Sequence, residues 1–397
     1  MRIGEFVLMD LEGLDALIKA LQARGYLAVG PTVVDGAIVA RAIPGADALP
    51  RGYHDEQAPG HYRLTRDDTD ERVFAWAVGP GGFKEGFFPP AEVLWRAERV
   101  AADEDQPGAP QEGPTVRVRA EPPTRRRPLA LVGLRPCEVA ALSVLDRVLA
   151  GGNPDPGYVA RRRGAFVVVA ECATPAGTCF CSSFGTGPDA DGAFDLALCE
   201  LEGQGLHRFA VRVGSELGAD LLAEVHHVPA SSAELDARRA LLERARAAMG
   251  RSLDTDDLPG LLERNIDHPR WAETARRCLA CGNCTLVCPT CFCSDLRDVS
   301  DVRGTMARER RWASCFDLEH SYLHGGSVRP SVAARYRQWM THKLSSWWAQ
   351  FGTSGCVGCG RCITWCPVGI DLTEEAAQIR LRDGERSVAA TGEERAS

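Results

Sequence analysis

The stretch Cys278-Leu279-Ala280-Cys281-Gly282-Asn283-Cys284-Thr285-Leu286-Val287-Cys288-Pro289 spells C-x2-C-x2-C-x3-C-P. The same spelling returns at Cys356-Val357-Gly358-Cys359-Gly360-Arg361-Cys362-Ile363-Thr364-Trp365-Cys366-Pro367. Three thiols at i, i+3 and i+6 in a tight loop can face one inorganic core from three corners. The cysteine before proline opens a turn leading away and is free to reach a neighbouring core. This is the run that holds paired [4Fe-4S] cubes, three cysteines on one cube and the fourth on the other. It predicts one cube on Cys278, Cys281, Cys284 and Cys366 and a second on Cys356, Cys359, Cys362 and Cys288. Gly282, Gly358 and Gly360 let the backbone wrap closely, with positive φ where needed, and amides so exposed can hydrogen-bond sulfide and tune the reduction potential. Zinc is the competing reading of C-x2-C pairs, but two zinc ions need neither the third step nor the duplicated Cys-Pro.

Outward from these motifs, residues 289–355 form an insertion longer than compact two-cluster ferredoxins use. Tyr336, Trp339, Trp347, Trp348 and Phe351 lie along a helix expected over residues 331–350, with Gly352 as its stop. The aromatic stripe reads as packing. Cys291, Cys293 and Cys315 lie close to the first motif and are a weak candidate for a fourth site, one thiol short of the usual four ligands. His320, His324 and His342 have no ligand spacing.

Towards the N-terminus the chain is α/β from Pro128. Residues 129–132 and 165–170 are apolar strands and residues 138–149 have helical periodicity, one βαβ unit whose strands end on the same sheet edge. Cys137 follows the first strand and Cys172 the second, on the edge where open α/β sheets bind ligands. Cys179 and Cys181 follow in a glycine-containing loop that can fold back over it. These four thiols are expected to hold a third cluster, with Cys137 in the first turn of a helix whose dipole favours a thiolate. The bland alternative is ordinary buried cysteines, because this spacing matches no common short motif. Cys199 falls in an alternating strand and reads as core. Further upstream, a helix over residues 11–24 precedes a hairpin over residues 27–42 turning at Asp35-Gly36. Residues 101–127, acidic, then Pro-rich, then basic at Arg125, Arg126 and Arg127, read as an exposed loop.

The expected fold class is α+β: an N-terminal α/β domain, residues 1–227, and a mainly helical ferredoxin-like domain with a long helical insertion, residues 228–397. A chain of 397 residues with 45% hydrophobic composition can bury such cores. Sixteen locally clustered cysteines favour metal binding over a disulfide scaffold. Residues 1–21 lack the apolar core of a secretory signal, no run approaches the roughly 20 apolar residues of a membrane span, and the formal net charge of -8 argues against nucleic acid as partner. A cytoplasmic protein that docks on other proteins is expected. No G-x-G-x-x-G fingerprint, P-loop, zincin motif or nucleophile elbow is present. The chain has redox wiring and no catalytic residues of its own.

Trp312-Ala313-Ser314-Cys315-Phe316, the run Arg335 to Leu344, and Phe351 through the second motif to Asp371 resemble the β subunit of cytosolic sulfhydrogenase-type [NiFe] hydrogenases. The same family includes the iron–sulfur subunit of anaerobic sulfite reductase. The resemblance extends to Cys288-Pro289-Thr290-Cys291-Phe292-Cys293, Gly133-Leu134-Arg135-Pro136-Cys137-Glu138 and Glu171-Cys172-Ala173-Thr174-Pro175, while residues 1–125 carry little of it. It implies an electron-transfer chain that links the small and large subunits of a hydrogenase with a flavin-containing NAD(P)H reductase subunit. An electron relay to a sirohaem subunit in a sulfite reductase is the alternative within the family. A non-catalytic iron–sulfur scaffold or redox sensor is the alternative of another class.

Overall fold

The computed structural model describes residues 1–100, 115–120, 127–201, 207–302 and 304–394. Strand β1 (Phe6–Asp10) ends on Asp10, whose carboxylate accepts from the Gly13 amide and caps the helix Leu11–Ala23. That helix buries Leu14, Leu17, Ile18 and Leu21, the one-sided set that seats an amphipathic helix on a core. Strands β2 (Leu27–Val34) and β3 (Ala37–Ala42) form the expected hairpin. Its two turn residues, Asp35 and Gly36, have φ of 49° and 73°, the left-handed pair that matches the twist of flanking strands. A second hairpin pairs β4 (Tyr53–Ala58) with β5 (His61–Arg66).

Strand β6 (Ala91–Val100) pairs with β7 (Thr115–Ala120), so the segment read as one exposed loop contains a strand. Its Thr-Val-Arg-Val-Arg-Ala alternation suits a strand with one face in water. Residues 101–114 and 121–126, Arg125 and Arg126 included, lie outside the described residues, and Arg127 donates from Nε to Gly25 O at 3.2 Å. Strands β8 (Leu129–Leu134), β9 (Phe166–Ala170), β10 (Leu196–Leu201), β11 (Arg208–Val213) and β12 (Val228–Pro229) complete an eight-stranded sheet of order β12-β1-β11-β10-β9-β8-β2-β3. Strands β2, β8, β9 and β10 are parallel and the rest join antiparallel.

The central strands are apolar on both faces because helices cover both. Along β9, Phe166, Val168 and Ala170 pack towards the helix Leu11–Ala23, while Val167 and Val169 pack towards the helix Pro136–Leu149. Gly133, at φ 85°, sits where the β8 register shifts. This bulge sends Leu134 to the same face as Leu131 and turns the chain into the helix carrying Cys137.

The C-terminal half packs short helices around Leu261, Trp271, Tyr336, Trp339, Leu344, Ile363 and Ile379. The insertion was expected to be helical, and its first part is not. Strands β13 (Ser294–Ser300) and β14 (Met306–Trp312) form a hairpin that adds to the N-terminal pair as a sheet of order β13-β14-β6-β7. Arg310 on β14 reaches Glu92 on β6 and also Asp155. The expected helix over residues 331–350 forms as Val332–Thr341, a π turn His342–Ser346 and Trp347–Phe351, stopped by Gly352 at φ 66°. The two halves therefore interlock through a shared sheet. Helices make up 36% and strands 24% of the structure, an α+β fold. Among the described residues no helix is long and apolar enough to cross a membrane.

Candidate metal centres

Cys278, Cys281 and Cys284 of the first motif line one cavity together with Cys366 and Cys362 of the second, closed by Phe316, Tyr336, Trp339 and Ile370. The loop turns through Ala280 and Gly282, at φ 53° and 76°. Backbone amides already point at sulfur: Ala280 N–H donates to Cys278 Sγ at 3.4 Å and Ile370 N–H to Cys366 Sγ at 3.3 Å. Tyr336 Oη and Trp339 Nε1 are buried with no hydrogen-bond partner. They are spare donors of the kind that outer-shell bonds to a cluster use. Burial pushes the Cys284 thiol well up, reinforced by Cys278, Cys366, Cys281 and Cys288 as charge neighbours. Iron would relieve that crowding by supplying positive charge to deprotonated sulfur.

The second motif is buried throughout residues 354–361. Gly358 and Gly360 lie against the loop carrying Cys179 and Cys181. A Cβ on Gly358 would come within 2.5 Å of Phe180 O, and one on Gly360 would collide with Thr178 O, both at positive φ. Burial pushes Cys356 up to about 12, partly offset by the Lys343 ammonium, with Cys359 and Cys288 as the thiols beside it. Cys362 is raised by burial and then by Cys356, Cys359, Cys288 and Cys284. Cys288 of the first motif thus lies among the thiols of the second, and Cys366 among those of the first.

A third set of thiols is also brought together. Cys137, Cys172, Cys179 and Cys181 line one enclosed cavity at the carboxyl ends of β8 and β9, with Cys359 and Met249 completing the wall. The Cys179 thiol faces Cys359 O at 4.0 Å. The helix dipole does not win at Cys137: burial pushes its thiol well up, and Cys181 and Cys359 add to it. Arg361 bridges this set to the second. Its Nη2 pairs with Glu138 Oε1 at 2.6 Å and its Nε donates to Gly79 O at 2.8 Å, while Cys359 and Cys137 both lie in its field.

Residues 277–370 match the family model of the 4Fe-4S dicluster domain. The chain is also 34% identical over 253 residues to sulfhydrogenase 2 subunit beta of Pyrococcus furiosus, an alignment covering 63% of this chain and 73% of that protein. This chain belongs to the sulfhydrogenase β-subunit family. No solved structure matches it.

In this sulfhydrogenase β-type chain the thiols ring cavities and do not converge on a point. Among the described residues no group of three or more His, Cys, Asp or Glu side chains is placed to hold a metal ion as the thiols stand. The donor set, the N–H···S contacts and the orphaned indole and phenol fit [4Fe-4S] cubes. Cys199 is fully buried core in β10. Cys291 is a neighbour of Cys288, and Cys315 and His320 beside Cys293 hold its thiol down against burial.

Several groups around the thiols went unread in the sequence. His320 lacked any ligand spacing and is found only by the fold. Lys343 Nζ lies 3.3 Å from Cys288 Sγ, 3.0 Å from Thr290 Oγ1 and 2.9 Å from Gly355 O. Lys84 Nζ donates to Cys288 O at 3.0 Å and Cys291 O at 3.2 Å and stands 3.8 Å over the Trp312 ring. Lys343 lies in helical sequence and Lys84 in a run rich in glycine and phenylalanine, and neither has a neighbour in sequence that marks it as buried against sulfur.

Proposed function

We propose that this chain is the electron-transfer subunit of a hydrogenase complex, passing electrons through three [4Fe-4S] clusters that link the hydrogenase small subunit with a flavin-containing NAD(P)H reductase subunit. The clusters supply one-electron redox chemistry. Their proposed ligands are Cys278, Cys281, Cys284 and Cys366; Cys356, Cys359, Cys362 and Cys288; and Cys137, Cys172, Cys179 and Cys181.

The observation that carries this reading is the unbroken line of thiols. Cys281 is exposed beside Leu279, itself 64% exposed. Cys284 and Cys362 are charge neighbours across the first and second sets. Cys359 lines the cavity of the third set. The proposed order is therefore first, second, third, from a surface loop to the carboxyl edge of the N-terminal sheet. The aromatic residues around the first cavity exclude water from its inner side, and the buried glycine loops hold the second and third sets against each other.

A partner can approach at two places. One is the Leu279–Cys281 loop. The other is a groove of about 610 Å³ that opens onto Cys356 and Val357 between Phe184 and Trp348, the latter 48% exposed. The relative's name describes a hydrogenase β subunit, which supports hydrogenase partners over a sirohaem one.

The test is the purified assembly. It should reduce NAD(P) with hydrogen, while this chain alone should not. Cys281→Ala or Cys359→Ala should leave hydrogen oxidation with an artificial dye and abolish pyridine-nucleotide reduction. An assembly that contained sirohaem, reduced sulfite and lacked a hydrogenase would sink the hydrogenase assignment and leave the relay standing.

A further inference from the structure

We propose that Lys343 is a potential-setting residue, its buried ammonium raising the reduction potential of the cluster assigned to Cys288, Cys356, Cys359 and Cys362. The inference rests on that ligand assignment and goes beyond it.

Lys343 is 3% exposed and sits in the π turn His342–Ser346. Such single-turn widenings inside helices occur frequently at functional sites. The turn places Nζ against Cys288 Sγ, Thr290 Oγ1 and Gly355 O. Gly355 and Thr290 are the chain neighbours of the cysteines Lys343 would serve, one residue before Cys356 and two after Cys288.

Of the other cations near this set, Arg361 pairs with Glu138, and Lys84 donates to the carbonyls of Cys288 and Cys291 and, among the described residues, to no cysteine sulfur. Among the described residues Lys343 makes no carboxylate pair, and the groups that favour its charge are the sulfurs of Cys288, Cys291 and Cys356, of which Cys288 and Cys356 would be thiolates once they hold the cluster. A buried ammonium without a carboxylate is costly unless it faces negative charge. Here that charge is on sulfur, and it grows by one unit when the cluster accepts an electron.

The physics sets the sign. Adding an electron to an already anionic, water-excluded cluster is opposed by burial, and a fixed cation in contact with a ligand sulfur offsets that cost. The electron stays longer on this middle member of the relay. Lys84 does a different task, tying the carbonyls of Cys288 and Cys291 to the Trp312 face.

The experiment is an EPR-monitored redox titration of the full chain, prepared anaerobically, with iron content measured alongside. Lys343→Met removes the charge and keeps the length. Lys343→Gln keeps a donor for Thr290 and Gly355 and is read in its place if the Met variant fails to retain iron. One cluster signal should move to lower potential while the others stay. At a fixed poise its reduced-to-oxidised ratio should fall by at least about tenfold, as expected for a unit charge at an effective dielectric of about 20. That ratio is about 59 mV for a one-electron couple. Lys343→Arg should restore most of the shift, and Lys19→Gln, on an exposed face of the first helix, should move nothing.

An iron-replete Met or Gln variant with an unmoved midpoint, or an Arg variant shifted as far as Met, would overturn the proposal. If instead Cys359→Ala left iron content and spectrum unchanged, the ligand assignment beneath it would be the part that fails.

Discussion

Cys293 meets Cys315 and His320 in a half-buried turn, and the three settle one another's protons. Cys315 and then the imidazole lower the Cys293 thiol, whereas Cys315 is pushed up. His320 is raised in turn by Cys293. The sign follows directly. Cys293 keeps its thiolate to lower pH than an ordinary thiol near 8.5, which loses thiolate about tenfold for each unit below its pKa. Alkylation of Cys293, followed by mass spectrometry, should therefore fall less steeply from about pH 8 to about pH 6 than alkylation of an ordinary thiol, tracking the thiolate fraction. His320→Ala should raise the Cys293 pKa and slow labelling at about pH 6. Equal rates in the two proteins would contradict the contact. Nothing in the spacing of these residues announces the trio, because a hairpin and a short 3-10 turn bring them together.

Elements meet most tightly where the second motif lies on the loop of residues 178–181. Gly360 has no room for a Cβ against Thr178 O, and its φ of 74° favours glycine independently. Gly360→Ala should displace both thiol sets that share this seam. Iron should fall from about 12 to about 4 atoms per chain, from four irons per cube; full iron content in this variant would show that the seam yields without cost. Arg361 closes the same seam through Glu138 on the helix Pro136–Leu149 and through Gly79 O. Arg361→Met leaves a buried carboxylate unpaired, so unfolding should lose about 3–5 kcal/mol, read by chemical denaturation of the anaerobic protein. The helix bearing Cys137 was legible because β8, the helix and β9 are local and strongly periodic. The hairpin β13–β14 was not, because alternation in Met-Ala-Arg-Glu-Arg-Arg-Trp is mostly charged and becomes a strand only by pairing with β6.

At the scale of the whole molecule, three thiol sets lie in series from an exposed loop to a sheet edge. Three cubes require about 12 iron atoms per chain and the two motifs alone about 8, from four irons in each cluster. Iron and acid-labile sulfide should give the larger figure, and Cys137→Ser and Cys172→Ser should each remove about four irons. A value near 8 with an unchanged spectrum in both variants would reduce the third set to buried cysteines. Burial already distinguishes the sets. The first reaches the surface at Cys281, whereas Cys137, Cys172, Cys179 and Cys181 are all buried. Exchange with a partner should therefore be fastest at the first set.

The sequence by itself determined the chemistry: one cysteine run present twice, whose spacing proposes a crossed pairing, and two cysteines that parallel strands deliver to one edge, with two more in the loop that follows. Each is set by local spacing or by period, and both survive without knowledge of distant contacts. Only the tertiary structure decided what surrounds the sulfurs. Lys343 reaches Cys288 across 55 residues and Arg361 reaches Glu138 across 223. The order of the three sets likewise depends on Gly358 and Gly360 lying against the loop at Cys179 and Cys181. Side chains that meet across such separations leave no periodic trace in either partner's neighbourhood, so their charge, burial and reach appear only when the chain is folded.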